Sequence, residues 1–262
     1  MKKSPLLILL CVGLLAPAAT YVGCVRGVDF QTAAELTKAQ EAFDRADSPD
    51  EFLKVAAMYQ AARDRGLVSG AVLYNQGNAL MKAGQTGRAI AAYREATRYR
   101  PVDPYLKANL DYALGSRAEP AARRPMIEYL LFWQNWIGYP AKFRLAGAAV
   151  LATFLVASAG WFVWRRTLNR VALAGLAVSA VLSLSAAYDW HRFDYQQHGV
   201  VVANETIARL GYAQSYEPAF TEPLTEGTEF TVLDRRGDWV FVSLPGDANR
   251  EGWIEAKTAV LY

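Results

Sequence analysis

The stretch FRLAGAAVLATFLVASAGWFVW, residues Phe143–Trp164, is apolar over 22 residues, and Val171–Tyr188 repeats the pattern over 18. Each is long enough to cross a hydrocarbon core of about 30 Å as a helix. Only the six residues Arg165–Arg170 lie between them, which allows a tight return but no domain. The sequence therefore predicts a transmembrane hairpin, with the chain before Phe143 and the chain after Tyr188 on the same side of one membrane.

The composition is that of a membrane protein rather than a nucleic-acid-binding one. Of the 262 residues 53% are hydrophobic and the mean hydropathy is +0.04. This apolar excess is concentrated in a few stretches. The formal net charge of +3 is small, and no dense Lys/Arg stripe is interleaved with aromatic residues. We therefore expect contact with a lipid bilayer and none with nucleic acid.

Residues 1–24 have the pattern of a secretory signal peptide. Lys2 and Lys3 precede an apolar core at Leu6–Leu15, and small residues follow at 16–18. An uncleaved anchor is the alternative interpretation.

The two cysteines give no intramolecular disulfide in an exported chain. Cys11 lies inside the signal core, which leaves at most Cys24 in the mature protein. Val22-Gly23-Cys24 resembles the end of a bacterial lipobox, but Tyr21 stands where that pattern has Leu. This departure argues against lipidation of Cys24 and leaves it as an open alternative.

Basic residues predict the orientation of the hairpin. Its short loop carries Arg165, Arg166 and Arg170, whereas the outer flank of the first span carries Lys142 and Arg144. Positive charge in short loops favours the cytoplasm, which agrees with a signal peptide that exports residues 25–142. We expect a multi-pass protein of the bacterial inner (cytoplasmic) membrane, with both soluble parts on the outer, periplasmic face.

Residues 31–118 contain a 34-residue self-similarity, which predicts a helical repeat array. Leu73–Leu80 and Arg88–Arg100 indicate a pair of helices around a turn at 84–87, and Pro101 closes the second helix. The pattern resembles the tetratricopeptide repeat, although Gln76 stands where that family prefers Leu. The residues at the family's signature spacing are Leu73, Gly77, Leu80, Ala89, Tyr93, Ala96 and Pro101.

The resemblance implies a concave groove that binds a peptide or a helix of a partner. Its groove-facing positions correspond here to Tyr74, Asn78, Met81, Lys82 and Asn109. Asparagine amides both donate and accept hydrogen bonds, so they can grip an extended backbone. The alternative is that Asn78 and Asn109 only order the repeat.

Residues 119–142 join the repeats to the hairpin. Glu119–Pro125 is a linker, and Met126–Tyr139 is rich in aromatic residues and is followed by Pro140. The aromatic density predicts a helix in the membrane interface that breaks at Pro140. The alternative is that these aromatic residues cover the underside of the repeat array.

After Tyr188 the pattern changes from helical to alternating, which is typical of short strands. The series EGTEFTVL, GDWVFV and EGWI, within residues 226–254, resembles the bacterial SH3 domain, and the resemblance covers 198–262. It implies an all-β small barrel that binds peptides or peptidoglycan. Exposed aromatic side chains would supply the ligand surface, and the candidates are Tyr212, Tyr216 and Trp239. A core position is the alternative for Trp239, and we expect Trp253 in the core.

The sequence shows no motif that predicts catalysis, a cofactor or a metal. His191 and His198 lack the Cys or carboxylate spacing of a metal site, and we expect them in a solvated joint after the second span. The chain also has no Gly-rich phosphate loop, nucleophile elbow or zinc-protease motif. We expect an interaction protein and not an enzyme.

The order of signal, tetratricopeptide repeats, two spans and SH3-like domain resembles the Bat (Bacteroides aerotolerance) family of the BatE type. The resemblance covers nearly the whole chain. It implies a membrane-anchored scaffold in envelope stress or aerotolerance, with MoxR-type ATPases and von Willebrand factor A (VWA) domain proteins as partners. A peptidoglycan-binding or cell-wall-sensing protein is the alternative.

Overall fold

The computed structural model describes residues 30–115, 133–163, 166–246 and 250–262. The signal peptide with Cys24, the 119–125 linker and the first part of the aromatic segment lie outside the described residues. The fold mixes helices with a small antiparallel sheet, and the chain divides into two compact units. Ile137–Asp194 belong to one unit, whereas the helices before them and the strands after them belong to the other.

Five helices form what we call the helical domain. Each packs against the next along the chain. Ser48, Ser69 and Asp103 cap three of them by accepting backbone N–H bonds from the first turn. The helices are α1 (Phe30–Arg45), α2 (Pro49–Asp64), α3 (Gly70–Lys82), α4 (Thr86–Thr97) and α5 (Pro104–Leu114).

Helices α3 and α4 approach closely because small residues line their seam. A Cβ on Gly77 would collide with the Tyr93 ring, and Ala89 and Ala96 on α4 are completely buried. Tyr93 itself is 1% exposed. The seam therefore requires Gly at position 77, where a larger side chain would displace the tyrosine.

Seven short strands form what we call the β-domain, residues 198–262. Five of them make an antiparallel sheet in the order β6-β5-β4-β1-β7, and β2 pairs with β3. Burial alternates along β5, where Val240 and Val242 face the core. The strands are β1 (His198–Val201), β2 (Glu205–Thr206), β3 (Leu224–Thr225), β4 (Glu229–Arg236), β5 (Trp239–Ser243), β6 (Glu251–Glu255) and β7 (Ala259–Leu261).

The helical domain and the β-domain pack together through α4, which contacts β1 and β7. Arg94 donates from Nε and Nη2 to the two carboxylate oxygens of Glu229, at 2.6 and 2.7 Å. The backbone N–H of Gly87 donates to Glu226 Oε1 at 2.8 Å. Val200 of β1 is fully buried in the apolar core of the helices. The sequence pattern predicts two separate modules, and in the structure they form one compact unit.

The hairpin consists of α6 (Tyr139–Val163) and α7 (Arg166–Trp190), each 25 residues long. Both helices are long and apolar enough to cross a membrane. The expected break at Pro140 coincides with the start of α6, which begins at Tyr139 and has Pro140 in its first turn. Proline is tolerated there, since the first turn needs no backbone N–H donor. The described residues just before it, 133–136, form turns rather than an interfacial helix.

A buried ion pair joins the two helices of the hairpin. Lys142 Nζ lies 2.5 Å from Asp189 Oδ2, and both side chains are at most 5% exposed. Thr153 and Ser179 make a second polar contact between the helices, 3.1 Å between their hydroxyl oxygens. The predicted spans, 143–164 and 171–188, each stop one residue short of the ion pair, so both of its members lie outside the apolar pattern.

We expect Lys142→Leu to destabilise the hairpin, because it leaves the Asp189 carboxylate buried without its cation. Removing one member of a buried pair costs about 3–5 kcal/mol. The double variant Lys142→Leu/Asp189→Leu should recover most of that loss, since two apolar side chains replace the pair. Thermal unfolding of the detergent-solubilised protein checks this, and a double variant no more stable than the single one would contradict it.

We expect Gly87→Ala to loosen the contact between α4 and the β-domain. A Cβ at this position collides with the backbone carbonyl oxygen of Val201, which cannot rotate away. In an isolated helix the same change stabilises by up to about 1 kcal/mol. A decrease of about 1–3 kcal/mol in the free energy of unfolding is therefore evidence of the collision. Chemical denaturation of the full chain measures it. The neighbouring exposed Arg88→Ala serves as control and should stay within about 0.5 kcal/mol.

Candidate functional site

The β-domain carries a groove of about 550 Å³ at its surface, which we call the aromatic groove. Three segments meet there: the loop 212–214, the turn between β4 and β5, and the end of β6 with the helical turn Ala256–Thr258 that follows it. Positive φ at Gly237, +58°, makes the second of these turns possible. The lining residues are Tyr212, Ala213, Gln214, Asp238, Trp239, Glu255, Ala256 and Lys257.

Arg209 holds the loop of the aromatic groove against β6. Its backbone N–H and C=O exchange two 2.8 Å hydrogen bonds with Trp253. Its guanidinium donates to the carbonyl oxygen of Tyr216 at 2.7 Å. A Cβ on Gly211 would lie 2.7 Å from the Tyr216 ring, so glycine makes room for the ring. The loop is thus positioned by the sheet and not by its own sequence alone.

Aromatic rings form one wall of the site. Tyr212 and Tyr216 are about half exposed, with ring centroids 6.3 Å apart. Tyr212 also packs edge-on against Trp253 at 5.5 Å, and the Arg236 guanidinium lies 5.2 Å from the Tyr212 ring centroid. Trp253 is only 8% exposed. Of the three predicted ligand residues, Tyr212 and Trp239 line one groove, whereas Tyr216 adjoins Tyr212 outside the lining.

The groove carries two carboxylates and one ammonium group. Lys257 Nζ lies 2.5 Å from Glu255 Oε2, and Gln214 donates to Glu255 Oε1 at 3.0 Å. The hydrogen bond from Lys257, followed by that from Gln214, lowers the pKa of Glu255 below its ordinary value. The exposed Asp238 carboxylate accepts no hydrogen bond from the described residues. The groove thus offers, beside aromatic walls, one carboxylate that accepts no hydrogen bond from the described residues and interacts with Lys257 only through its charge.

The helical domain brings together three of its five predicted ligand residues. Asn78 Oδ1 accepts from Tyr93 Oη at 2.9 Å and from Asn109 Nδ2 at 2.8 Å. Asn109 also donates to the Tyr74 hydroxyl at 3.0 Å. Burial raises the pKa of the Tyr93 phenol, which therefore stays a hydrogen-bond donor. Through these contacts Asn78 and Asn109 hold helices of this domain together. Such a structural role was the alternative to ligand binding that the sequence left open.

The other two predicted ligand residues of the helical domain stand outside this network. Met81 is half-buried against the apolar core. Lys82 is exposed at the end of α3 and has no ion pair within the part of the chain that the structure describes. Lys82 is therefore the residue of the predicted set whose charge is open to a ligand.

The two histidines belong to different elements of the chain. His191 begins the π-helical turn His191–Tyr195, and His198 opens β1, where its Nδ1 lies 3.2 Å from Thr231 Oγ1. His198 therefore belongs to a strand and not to the expected solvated joint. Across residues 30–115, 133–163, 166–246 and 250–262, no three His, Cys, Asp or Glu residues are grouped so that they could hold a metal ion.

Comparison with protein-family models, with curated proteins and with solved structures finds no match to this chain.

We expect Asn78→Leu to destabilise the helical domain by about 1–3 kcal/mol, because it leaves the buried Tyr93 hydroxyl without its acceptor. Lys82→Gln, on the exposed end of the same helix, should change stability by less than about 0.5 kcal/mol. Chemical denaturation of the full chain compares the two variants. Equal stability of Asn78→Leu and the parent would show that Asn78 has no structural role.

Proposed function

We propose that this protein is a membrane-anchored protein–protein interaction scaffold. In this proposal the helical domain is a short tetratricopeptide array and the β-domain is a bacterial SH3 domain. The close α3–α4 seam around Gly77 and Tyr93 supports the first assignment. The five-stranded antiparallel sheet with loops converging on one groove supports the second.

The aromatic groove is the observation that carries the proposal. Tyr212 and Trp239 offer rings on which apolar or proline-rich segments can pack. The exposed Asp238 carboxylate, which accepts no hydrogen bond from the described residues, adds attraction for a basic side chain. We therefore propose that the groove binds an extended peptide segment with a basic residue.

The hairpin supplies the anchor in this proposal. Two apolar helices, separated by two residues of sequence, hold the chain in the bacterial inner membrane as a multi-pass protein. The soluble domains lie on the periplasmic face, as the basic turn and the predicted signal peptide favour.

The partners follow from the resemblance to the BatE-type Bat family. We propose membrane or envelope proteins with von Willebrand factor A domains, working with a MoxR-type ATPase in envelope stress or aerotolerance. We further propose that the protein has no catalytic activity of its own, since it acts by holding partners.

Peptidoglycan is the second candidate ligand of the aromatic groove. The neighbouring exposed rings of Tyr212 and Tyr216 offer faces for stacking against sugars. The groove carboxylates can also accept hydrogen bonds from sugar hydroxyl groups.

Pull-down with the full-length protein in detergent separates the two candidates. We expect retention on a purified von Willebrand factor A-domain membrane protein from the same organism, and no retention on purified sacculi. Trp239→Ala should reduce the retention at least tenfold, because it removes one wall of the groove. Tyr112→Ala, which removes an aromatic side chain that is 76% exposed on α5, is the matched control and should bind as the parent does.

Two results would count against the scaffold. Retention on sacculi alone, lost in Trp239→Ala, would assign the groove to peptidoglycan. Retention on the partner that Trp239→Ala leaves unchanged would remove the aromatic groove from the interaction.

A fusion of alkaline phosphatase after Tyr262 tests the orientation, because the enzyme is active only after export. We expect high activity in intact cells, and low activity for a control fusion placed after Thr167, near the start of α7. The reverse pattern would place both soluble domains in the cytoplasm.

A further inference from the structure

A second cleft, of about 410 Å³, lies between the helical domain and the end of the sheet. Its helical walls come from α2, with Leu53 and Ala57, and from α4, with Arg88 and Ala91. The third wall is Val260–Tyr262 at the end of the chain described here. The cleft shares no lining residue with the aromatic groove, and we call it the strand-edge cleft.

The strand that borders this cleft has an open edge. β7 is the last strand of the sheet and, among the strands that the structure describes, pairs only with β1. Tyr262 N donates to His198 O at 2.9 Å, and Val202 N donates to Thr258 O at 2.8 Å. Backbone groups in antiparallel pairs alternate between the two sides, so the N–H and C=O of Leu261 point away from β1. An open edge of this kind is a template for a further strand.

The polar end of the cleft is cationic. Arg63 donates from Nη1 to Gln76 at 2.8 Å and from Nη2 to Glu95 at 2.5 Å, while its buried Nε has no partner. Glu95 therefore balances the charge of Arg63. Arg88 is exposed and makes no ion pair with any described residue, so the charged side chains that line the cleft, Arg63, Arg88 and Glu95, sum to one positive charge.

We propose that the strand-edge cleft binds an extended, acidic peptide segment of a partner protein by adding it as a strand to β7. The N–H and C=O of Leu261 hold the peptide backbone, which argues for a peptide rather than a compact small molecule. The unmatched charge of Arg88 selects a carboxylate side chain. The apolar side chains of Leu53, Ala57 and Ala91 cover the intervening residues of the ligand. This site is separate from the aromatic groove and takes a ligand of opposite charge.

Fluorescence anisotropy tests the proposal with the full-length protein in a non-ionic detergent at low salt. The probe is a fluorescein-labelled octapeptide of alternating Glu and Val, and its counterpart carries Lys in place of Glu. We expect saturable binding of the Glu peptide and at least tenfold weaker binding of the Lys peptide. Arg88→Gln should weaken the Glu peptide roughly three- to tenfold.

Two control variants test whether the Glu peptide binds at the strand-edge cleft and not elsewhere. Arg45→Gln removes an exposed arginine of α1 that does not line the cleft, and it should leave binding unchanged. Trp239→Ala alters the aromatic groove and should also leave it unchanged. Amide hydrogen exchange should slow at Leu261 when the Glu peptide is present, because pairing engages its N–H.

Three results would overturn the proposal. The first is the absence of saturable binding of the Glu peptide. The second is binding that is as strong for Arg88→Gln, or for the Lys peptide, as for the parent protein with the Glu peptide. The third is amide hydrogen exchange at Leu261 that the bound peptide does not slow.

Discussion

The contact of α4 with the β-domain is the constraint on which the soluble part of the structure depends. Burial alone would lower the pKa of Arg94, but the hydrogen bond and charge of Glu229 outweigh it and raise the pKa. Glu229 also accepts from the Tyr262 hydroxyl at 3.2 Å, so one carboxylate joins α4, β4 and the residue after β7. Arginine suits this place because its guanidinium offers two parallel donors to one carboxylate, which lysine cannot do. The fixed position of β7 beside α2 and α4 follows from this contact.

In the proposed membrane the hairpin meets a different physical requirement, since helices gain little from apolar burial against each other in lipid. Close approach and polar contacts supply the association instead. A Cβ on Gly175 would lie 2.7 Å from Thr153 Oγ1, so glycine allows the helices to approach at this level. The Lys142–Asp189 pair fixes the register at the end where the chain enters and leaves the hairpin.

Local patterns in the sequence predicted helices and strands, but they could not predict contacts between residues that are distant in the sequence. The apolar runs indicated α6 and α7, and the 34-residue period placed α3 and α4, because each pattern reflects one helix face. Arg94 and Glu229 are 135 residues apart, and in the sequence neither can be distinguished from an ordinary charged residue on the surface. Gln76 stood out only as a departure from the repeat, yet it is 5% exposed and bonded to Arg63 and Gln60. In the aromatic groove, residue type was enough to predict Tyr212 and Trp239 as ligand residues. Only the folded structure shows that Asp238 and Glu255 line the same groove.

The two candidate sites differ in charge, and this difference bears on how a scaffold would choose its ligands. The aromatic groove places Asp238 where a basic segment is attracted and an acidic one is repelled. Arg88 does the opposite in the strand-edge cleft. Like-charge repulsion contributes to specificity as much as attraction does. Because the helical domain and the β-domain form one compact unit, the spacing of the two sites does not vary with a flexible linker. A partner that carried an acidic and a basic segment at matching separation would engage both, and its second segment would bind at a high effective concentration.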